Sequence, residues 1–306
     1  MSDLTSSSSN TIAAAGALVA APRFSIVTPS FRSSSWLPLC LASVADQGIT
    51  LEHIVQDAGS DDGTLDWLPG DARARVFVEQ DLGMYDAINR GMRRAQGEIF
   101  AYLNCDEQYL PGALLAVGRF FDEHPQTDVL FGDIVMVDPQ GRYLYHRKVQ
   151  TPLKYHTWTC QLSTLSCAMF FRRRIVFDQG FFFESRWRDA GDGEWMVRLL
   201  QHGIKMDVVR RFTSAFTCTG TNMSAGENAR RERRELFQSA PAWARAARPL
   251  FLLHHRMRRF IGGMYTQKPF SYEIFTATSP RRRELHQVCR PQFLRRIEPG
   301  GASEQA

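Results

Sequence analysis

The chain has 306 residues, of which 44% are hydrophobic and 23% are charged, and its formal net charge is +5. This composition is ordinary for a soluble globular protein, and the length allows one large domain or one domain with an appendage. The six cysteines lie far apart and form no CxxC pair, which argues against a zinc site and against a disulfide framework. We therefore predict reduced thiols and a cytoplasmic location.

The first 21 residues are rich in serine and end in a short run of alanine and glycine. An acidic rather than basic start makes this stretch a poor signal peptide, and the apolar run is too weak for a membrane span. We predict a disordered leader over 1–21. Nothing later in the chain reaches the length of a membrane span either.

Ordered structure is predicted to begin with a strand over Phe24–Thr28, which is rich in β-branched residues and closed by Pro29. An amphipathic helix is predicted over Trp36–Gln47, and Gly48 ends it. A second strand over His53–Gln56 leads into the Gly- and Asp-rich loop DAGSDDG at 57–63. Both strands thus end in polar, loop-forming residues, as expected of an α/β nucleotide site.

The stretch from 76 to 112 has the pattern of a strand–helix–strand unit. A short apolar strand over Val76–Val78 precedes a helix from Met84 that Gly97 ends, and a buried strand follows over 99–103. Such a unit implies a parallel pair joined by a right-handed crossover. The last strand ends in the acidic turn 104–107, where Asp106 is a candidate ligand of a divalent cation completed by phosphates. The alternative is a solvated turn.

Two further segments in the middle of the chain carry candidate functional carboxylates. A strand over 128–133 ends in Gly132-Asp133, and a β-hairpin is predicted over 134–146. A helix follows Asp189, with Trp195 and Leu199 on its core face. Asp192 lies at the start of this helix, where the helix dipole favours a carboxylate and where a helix N-cap is the alternative role.

The last third of the chain is basic. Residues 225–260 contain nine arginines against three glutamates, interleaved with leucine and aromatic residues. Three interpretations are open: a face that packs on the main domain, attachment to an anionic membrane surface, and nucleic-acid binding. The last is disfavoured because no nucleic-acid-binding module is recognisable. The tail over 293–306 is predicted to be disordered.

Three stretches resemble the nucleotide-sugar-binding half of family 2 glycosyltransferases: FSIVTPSF, VQDAGSDDGT and EQDLGMYDAINRGMRRAQGEIFAYLNCDE. The resemblance covers about residues 23–225 in the family's order and spacing. It implies an α/β GT-A fold, Rossmann-like, with a mostly parallel central sheet flanked by helices. The basic last third of the chain is predicted to form a helical C-terminal extension to this fold. The implied catalytic domain divides into 22–110 for the donor half and 111–225 for the acceptor half, and the predicted extension covers 226–292.

The resemblance also implies donor-binding residues on the first half of the sheet. Thr28 and Pro29 match positions beside the nucleotide. Asp57 matches a carboxylate that hydrogen-bonds the nucleobase, and Asp81 lies in the stretch that closes over base and ribose. The donor-binding residues predicted in this way are Thr28, Pro29, Asp57, Asp81, Asn104 and Asp106.

A metal site is implied at the acidic turn. Asp106 matches the metal-binding aspartate of the family's DxD-like motif, whose cation, Mn²⁺ or Mg²⁺, bridges the donor diphosphate. The family often has two or three acids here, whereas this chain has Asn104 at the first position and Glu107 at the last. Asp106 is therefore the one predicted metal ligand.

The catalytic base is implied at the second carboxylate segment. It resembles the family's motif E-D-x-[ED]-L-x-x-R, with Gly191 in place of the usual glutamate, and Asp192 matches the base. Asp133 and Glu194 are predicted on the acceptor side, with a turn role as the alternative for Asp133. An inverting transfer needs one carboxylate to accept the acceptor's proton and a cation or donors to offset charge on the leaving diphosphate.

The sequence therefore predicts an inverting glycosyltransferase that uses a nucleoside-diphosphate-sugar and a saccharide acceptor, lipid-linked by the resemblance alone, in exopolysaccharide or envelope glycan synthesis. Peripheral membrane contact through 226–260, at the cytoplasmic face of the inner membrane, and no nucleic-acid partner complete the prediction. The alternatives are a protein or small-molecule acceptor and a non-catalytic sugar-nucleotide-binding protein.

Overall fold

The first half of the chain builds a parallel sheet whose carboxyl edge gathers the polar loops. The computed structural model describes residues 21–160, 163–220 and 226–293. The strands of this half are β1 (Phe24–Ser30), β2 (Leu51–Asp57), β3 (Arg75–Val78) and β4 (Ile99–Tyr102). They lie in the order β3-β2-β1-β4, and each neighbouring pair is parallel. Because parallel strands end at one edge, the loops that follow them meet there.

Three helices connect these strands: α1 (Leu37–Ala45), α2 (Thr64–Trp67) and α3 (Met84–Arg94). The predicted strand–helix–strand unit is present, although its two strands are not neighbours. β4 is buried along its whole length and pairs with β1 near the centre, whereas β3 is partly exposed and forms the edge. The apolar character of β4 thus selects the interior position.

The second half of the chain extends this sheet with mixed strands. Its elements are β5 (Glu107–Tyr109), α4 (Ala113–Glu123), β6 (Val129–Val137), β7 (Tyr143–Arg147), α5 (Lys154–Thr159), β8 (Met169–Arg172), α6 (Arg173–Phe177), α7 (Gly191–Gln201) and β9 (Met206–Thr217). The sheet continues β4-β8-β6-β9-β5, with β7 on β6. Among the strands described in this half, only the β6–β9 pair is parallel, and the other pairs are antiparallel. The predicted parallel arrangement therefore applies to the first half.

The predicted end of the strand at Gly132-Asp133 is wrong. β6 continues to Val137, and Asp133 lies inside it, so the alternative turn role of Asp133 is excluded. Gly132 stays in the strand for a packing reason, since a Cβ there would lie 2.2 Å from Oγ1 of Thr213 on β9. The predicted hairpin around Gly141 is confirmed, because β6 and β7 pair antiparallel.

Helix α7 is built as predicted. Trp195, Met196 and Leu199 are buried, and the Trp195 ring stacks on Phe183 with the ring centroids 4.7 Å apart. Trp195 also packs on Phe171 of β8. The start of α7 is thereby fixed against the sheet.

The C-terminal region is only partly helical, which corrects the predicted helical extension over 226–292. It contains α8 (Glu227–Gln238), α9 (Ala242–Ala246) and α10 (Arg248–Ile261), followed by β10 (Phe270–Thr276) and β11 (Ser279–Val288). β10 and β11 form an antiparallel hairpin that buries Tyr272 and Ile274. Tyr272 and Ile274 are two residues apart and therefore lie on the same face of β10, as the period of a strand requires.

The leader predicted over 1–21 and the tail predicted over 293–306 lie outside the described residues, except for Ala21 and Phe293. All six cysteines are described and none is in a disulfide. Within the described ranges, no helix has both the length and the apolar character needed to span a bilayer.

Candidate active site

The acidic turn between β4 and β5 closes on itself. The Asn104 N–H donates to Oε2 of Glu107 over 2.8 Å, and the Glu107 N–H donates to the Asn104 carbonyl over 3.1 Å. The other oxygen of each side chain, Oε1 of Glu107 and Oδ1 of Asn104, is buried without a hydrogen-bond partner among the described residues. The turn therefore holds two unsatisfied oxygen acceptors beside Asp106.

The pKa values of both carboxylates of the turn are raised. Burial raises the pKa of Asp106. Burial, followed by the charge of Asp106, raises the pKa of Glu107 to about 8, and the charge of Asp192 adds to this shift. Asp106 and Asp192 thus both lie within electrostatic range of Glu107. The predicted metal ligand and the predicted base are therefore both near this one buried carboxylate.

The turn fits a divalent cation that is completed by substrate rather than by protein alone. In the part of the chain that the structure describes, no group of three His, Cys, Asp or Glu side chains can hold a metal ion. Mg²⁺ is commonly bound by one or two carboxylates together with substrate phosphates. Asp106 and the unsatisfied oxygens of Asn104 and Glu107 offer hard oxygen ligands of this kind, and burial makes a compensating positive charge favourable.

Asp192 lies in the first turn of α7, and its carboxylate is held from one side. Oδ1 accepts hydrogen bonds from the Gly193 N–H over 2.8 Å and from the Tyr85 hydroxyl over 3.4 Å. Among the described residues, no hydrogen bond reaches Oδ2 of Asp192. Burial raises the pKa of Asp192, which strengthens it as a proton acceptor. The N-cap of α7 is Ala190, so the alternative cap role of Asp192 is excluded.

Tyr85 of α3 is a site residue that the sequence analysis missed. Its hydroxyl accepts a hydrogen bond from the Asp192 N–H over 3.0 Å, in addition to its contact with Oδ1. The ring stacks on Phe183, with the centroids 5.3 Å apart. The signal was present, since Tyr85, Ile88 and Met92 follow the helical spacing of three and four and are all buried.

The Tyr85 ring also explains why glycine occupies position 191. A Cβ on Gly191 would lie 2.6 Å from Cε2 of Tyr85. The backbone of Gly191 does not have a positive φ, so space rather than conformation demands glycine. Gly191 therefore stands where the family has glutamate because the Tyr85 ring occupies the space that a side chain would need.

Asp57 organises the loop after β2. Oδ1 accepts the N–H groups of Gly59 and Ser60 over 2.9 and 2.7 Å, and Oδ2 accepts the hydroxyls of Ser30 and Ser60 over 2.7 and 2.8 Å. Four donors therefore occupy this fully buried carboxylate. Its contact with a nucleobase stays a prediction, and its visible role is to tie the ends of β1 and β2 together.

Thr28 and Pro29 both lie within β1, which continues past its predicted end at Thr28 to Ser30. The Thr28 hydroxyl is buried and lies 2.8 Å from Nε2 of His53. Pro29 is half-buried, and its carbonyl accepts a hydrogen bond from the Cys105 thiol of the acidic turn. Pro29 thus borders the turn through its backbone, while the Thr28 side chain faces the core. Donor binding by both residues stays a prediction.

Asp81 lies in the turn that starts α3. Its Oδ1 accepts the Gly83 N–H over 2.8 Å, and burial raises the pKa of the carboxyl. Arg188, from the loop before α7, passes so close to Gly83 that a Cβ there would lie 2.6 Å from Nη1. Asp81 is therefore near the α7 entrance, and its role in closing over the donor stays a prediction.

The two predicted acceptor-side residues have partners of their own. Asp133 accepts the Val149 N–H over 2.8 Å and Nη1 of Arg210 over 3.2 Å, and burial raises its pKa to about 6. Glu194 is paired with Arg198 one turn along α7 at 2.7 Å. Neither contact joins the acidic turn. A contact with the acceptor stays a prediction for both residues.

Comparison with known proteins places this geometry in context. Residues 25–181 match the family described as glycosyl transferase family 2. A Mycobacterium tuberculosis protein named as a PGL/p-HBAD biosynthesis glycosyltransferase is 37% identical over 132 residues, which are 41% of this chain and 52% of that protein. The chain thus spans about half the length of the curated relatives it matches.

Two solved structures share the fold. The crystal structure of S. aureus TarS in complex with UDP-GlcNAc matches with a TM-score of 0.57 and 20% identity, over 78% of this chain and 73% of that one. The mannosyltransferase PcManGT from Pyrobaculum calidifontis, in complex with GDP-Man and Mn²⁺, matches with a TM-score of 0.50 and 15% identity, over 78% and 76%. These likenesses confirm the predicted GT-A fold.

Proposed function

The chain belongs to glycosyl transferase family 2, and on that premise we propose that it moves a sugar from a nucleoside-diphosphate donor to an acceptor hydroxyl with inversion. The observation that carries the proposal is that Asp106 and Asp192 both lie near enough to the buried Glu107 for their charges to act on it. One-step displacement needs a diphosphate-binding group and a proton acceptor at one site. These two carboxylates supply that pair.

Asp192 is the proposed base. Its Oδ1 is held by Gly193 and Tyr85, which fixes the carboxylate plane, and Oδ2 is the oxygen that takes the acceptor's proton. The raised pKa of Asp192 favours this transfer, because a more basic carboxylate holds the proton better. Tyr85 keeps the carboxylate in one orientation while the acceptor attacks.

Asp106 is the proposed ligand of Mn²⁺ or Mg²⁺. A bound cation would offset negative charge on the diphosphate as it leaves. Asn104 and Glu107 lie beside it with one unsatisfied oxygen each. A positive charge here would also lower the high pKa of Glu107, so cation binding and ionisation of the turn are expected to favour each other.

A thermal-shift panel tests the donor and the cation together. UDP-GlcNAc, GDP-mannose and a dTDP-sugar would each be measured with and without Mn²⁺, because a ligand that binds the folded state raises Tm. We expect one donor class to raise Tm only with Mn²⁺, and Asp106→Ala to abolish that rise. Asp122→Ala, an exposed acid on α4, is the matched control. A flat panel contradicts donor binding, and an unchanged rise in Asp106→Ala contradicts the ligand assignment.

We further propose a lipid-linked saccharide acceptor, as in exopolysaccharide or envelope glycan synthesis at the cytoplasmic face of the inner membrane. Two observations support it. Relatives are named for the biosynthesis of PGL, a glycolipid. The second observation is a surface suited to a bilayer, the outer face of α10, made by Leu250, Leu253, Met257, Phe260 and Ile261.

The outer face of α10 is an apolar stripe turned away from the protein. Its five side chains are between 52% and 79% exposed, and none of the residues of α10 is buried. The opposite side of the helix makes the contacts, since Phe251 stacks on Tyr155 and Arg258 donates to the Thr151 carbonyl. The helix is thus anchored by one side and presents a continuous apolar side to its surroundings.

The residues around this face are positively charged, which suits contact with an anionic membrane surface. Between Leu236 and Tyr272 the sequence has six basic residues and no acidic one. Exposed Arg248 and Arg256 belong to α10 itself. An apolar stripe with a basic surround is the pattern of a helix that lies in the membrane interface, and each arginine near anionic lipid adds about 1 kcal/mol.

The membrane contact predicted for 226–260 is therefore proposed for α10 and not for α8. Helix α8 buries Ala229, Glu232 and Leu236 against the acceptor half, as the packing interpretation of the basic region predicts. Helix α10 does not bury an equivalent set. The two interpretations of the basic region thus apply to different helices.

Vesicle flotation tests the surface. We expect the protein to float with vesicles containing anionic phosphatidylglycerol, to bind less at high salt, and to lose binding in Phe260→Ser/Ile261→Ser. The matched control is Leu285→Ser, an exposed leucine of β11. Absence of flotation in the unaltered protein, or equal flotation with neutral vesicles, would overturn the proposed contact.

A further inference from the structure

The backbone just before α7 presents three consecutive N–H groups to a single carboxylate. Glu232, from α8, accepts the N–H of Arg188 on Oε1 over 2.8 Å, and the N–H groups of Asp189 and Ala190 on Oε2, both over 2.9 Å. Asn228, one turn earlier on α8, adds a donor to Oε1 over 3.0 Å. Each carboxylate oxygen thus receives two hydrogen bonds.

This carboxylate is buried and charged. Glu232 is 4% exposed, and although burial acts to raise its pKa, the hydrogen bonds from the loop together lower it. Asn228 also donates to Oδ2 of Asp189 over 2.8 Å, so α8 grips the loop through a backbone and a side-chain contact. Such a saturated ionic acceptor holds backbone in one conformation.

The loop that Glu232 holds leads directly to the proposed base. Ala190 is the N-cap of α7, and Asp192 follows two residues later. Tyr85 holds Asp192 from the side of α3, through its N–H and Oδ1. The base therefore lies between two fixed supports, of which Tyr85 belongs to the family-matched residues 25–181 and Glu232 lies beyond them.

We propose that Glu232 is a positioning residue for the base, and that α8 completes the active site by holding the loop 188–190 in front of Asp192. The position that carries a glutamate in the family's motif is Gly191 here, where the Tyr85 ring leaves no room for a side chain. Glu232 brings a carboxylate to the same turn from a distant part of the chain. This inference rests on the proposed function for its catalytic consequence, but not for the loop geometry.

Glu232→Gln is the informative change, because it keeps the shape of the side chain. A carboxamide accepts on one side only, so in either orientation its NH₂ group meets two of the four donors. Glu235→Gln is the matched control, since Glu235 is exposed on the same helix and pairs with Arg186. Glu232→Asp, which keeps the charge but is shorter, is a second variant in case the first is poorly folded.

Two measurements separate the inference from the proposed function. Amide hydrogen exchange of residues 188–193 does not depend on catalysis, and we expect it to rise about tenfold or more in Glu232→Gln and to stay unchanged in Glu235→Gln. In the transfer assay we expect kcat per nucleotide-binding site to fall about 10- to 100-fold, as misplacement of a catalytic group does, with donor affinity unchanged.

Each outcome is decisive. Unchanged exchange in Glu232→Gln overturns the positioning role, whatever the activity. Faster exchange with an unaltered kcat per binding site shows a structural contact only and also overturns it. A loss of nucleotide-binding sites with normal kcat per remaining site would again mean stability rather than positioning. If the unaltered protein transfers no sugar while the exchange difference is present, the proposed function fails and the loop assignment stands.

Discussion

Gly191→Ala tests whether the Tyr85 ring dictates the residue that precedes the proposed base. A Cβ at 191 would lie 2.6, 2.8 and 3.0 Å from three ring carbons of Tyr85, well inside van der Waals contact. The ring cannot easily withdraw, because it stacks on Phe183 and its hydroxyl is bonded to Asp192. Overpacking of this kind costs about 1–3 kcal/mol of unfolding free energy.

Gly193 provides the matched control on the same helix turn. Its Cβ would meet Cδ2 of Leu236 at 3.5 Å, an ordinary contact. Alanine in a helix is more favourable than glycine by about 1 kcal/mol, so Gly193→Ala is expected to be neutral or stabilising. The two variants should therefore differ by about 1–3 kcal/mol, since their propensity gains are alike and only one clashes.

Urea unfolding of the unaltered protein and of both variants measures this difference, with Tyr85→Leu/Gly191→Ala as a further variant. A smaller side chain at 85 makes room for the new methyl group, so the penalty of Gly191→Ala should shrink in that background. Equal stability of Gly191→Ala and Gly193→Ala would refute the reasoning. So would a penalty that is unchanged when Tyr85 is replaced.

Two further predictions concern single side chains. Burial raises the pKa of Asp133 to about 6 from 3.8, so the native state holds this proton more tightly and the unfolding free energy falls by about 2 kcal/mol as the pH rises from about 4 to 7. In urea unfolding at pH 4 and pH 7, the unfolding free energy of Asp133→Asn should therefore fall by that much less than that of the unaltered protein. Equal falls in the two proteins would contradict the burial argument. Tyr85→Phe keeps the ring but removes the hydroxyl that contacts Asp192. The loss of this one hydrogen bond should lower kcat about tenfold and leave donor affinity unchanged. An unaltered kcat would contradict the role of Tyr85 in supporting the base.

Local patterns in the sequence were sufficient to place the elements that carry the site. The β-branched run before Pro29 and the buried run before Asn104 predicted β1 and β4, and the spacing of Trp195 and Leu199 predicted α7. The acidic turn and Asp192 could be singled out because strand ends and helix starts are marked by short-range signals. Those signals act over only a few residues.

Partners from distant parts of the chain were beyond such patterns. Tyr85 and Asp192 are 107 residues apart, and only the fold brings them together. In the sequence Gly191 is only a departure from the family's motif, and the structure alone shows that the Tyr85 ring occupies the space of a side chain there. Glu232 was one of few acids in a basic segment, so composition concealed its role. The hairpin near Tyr272 was not predicted, because the many basic residues around it mask its alternating pattern.

The most direct test of the account is sugar transfer by Asp192→Asn, with Asp178→Asn, an exposed acid after α6, as the control. Labelled donor of the class found in the shift panel would be incubated with a lipid extract, and incorporation into lipid would be followed over time. The amide can still accept the Gly193 N–H but cannot take a proton. We predict a loss of about 10²–10⁴-fold in kcat with donor binding retained. Near-normal transfer by Asp192→Asn would contradict the proposed mechanism.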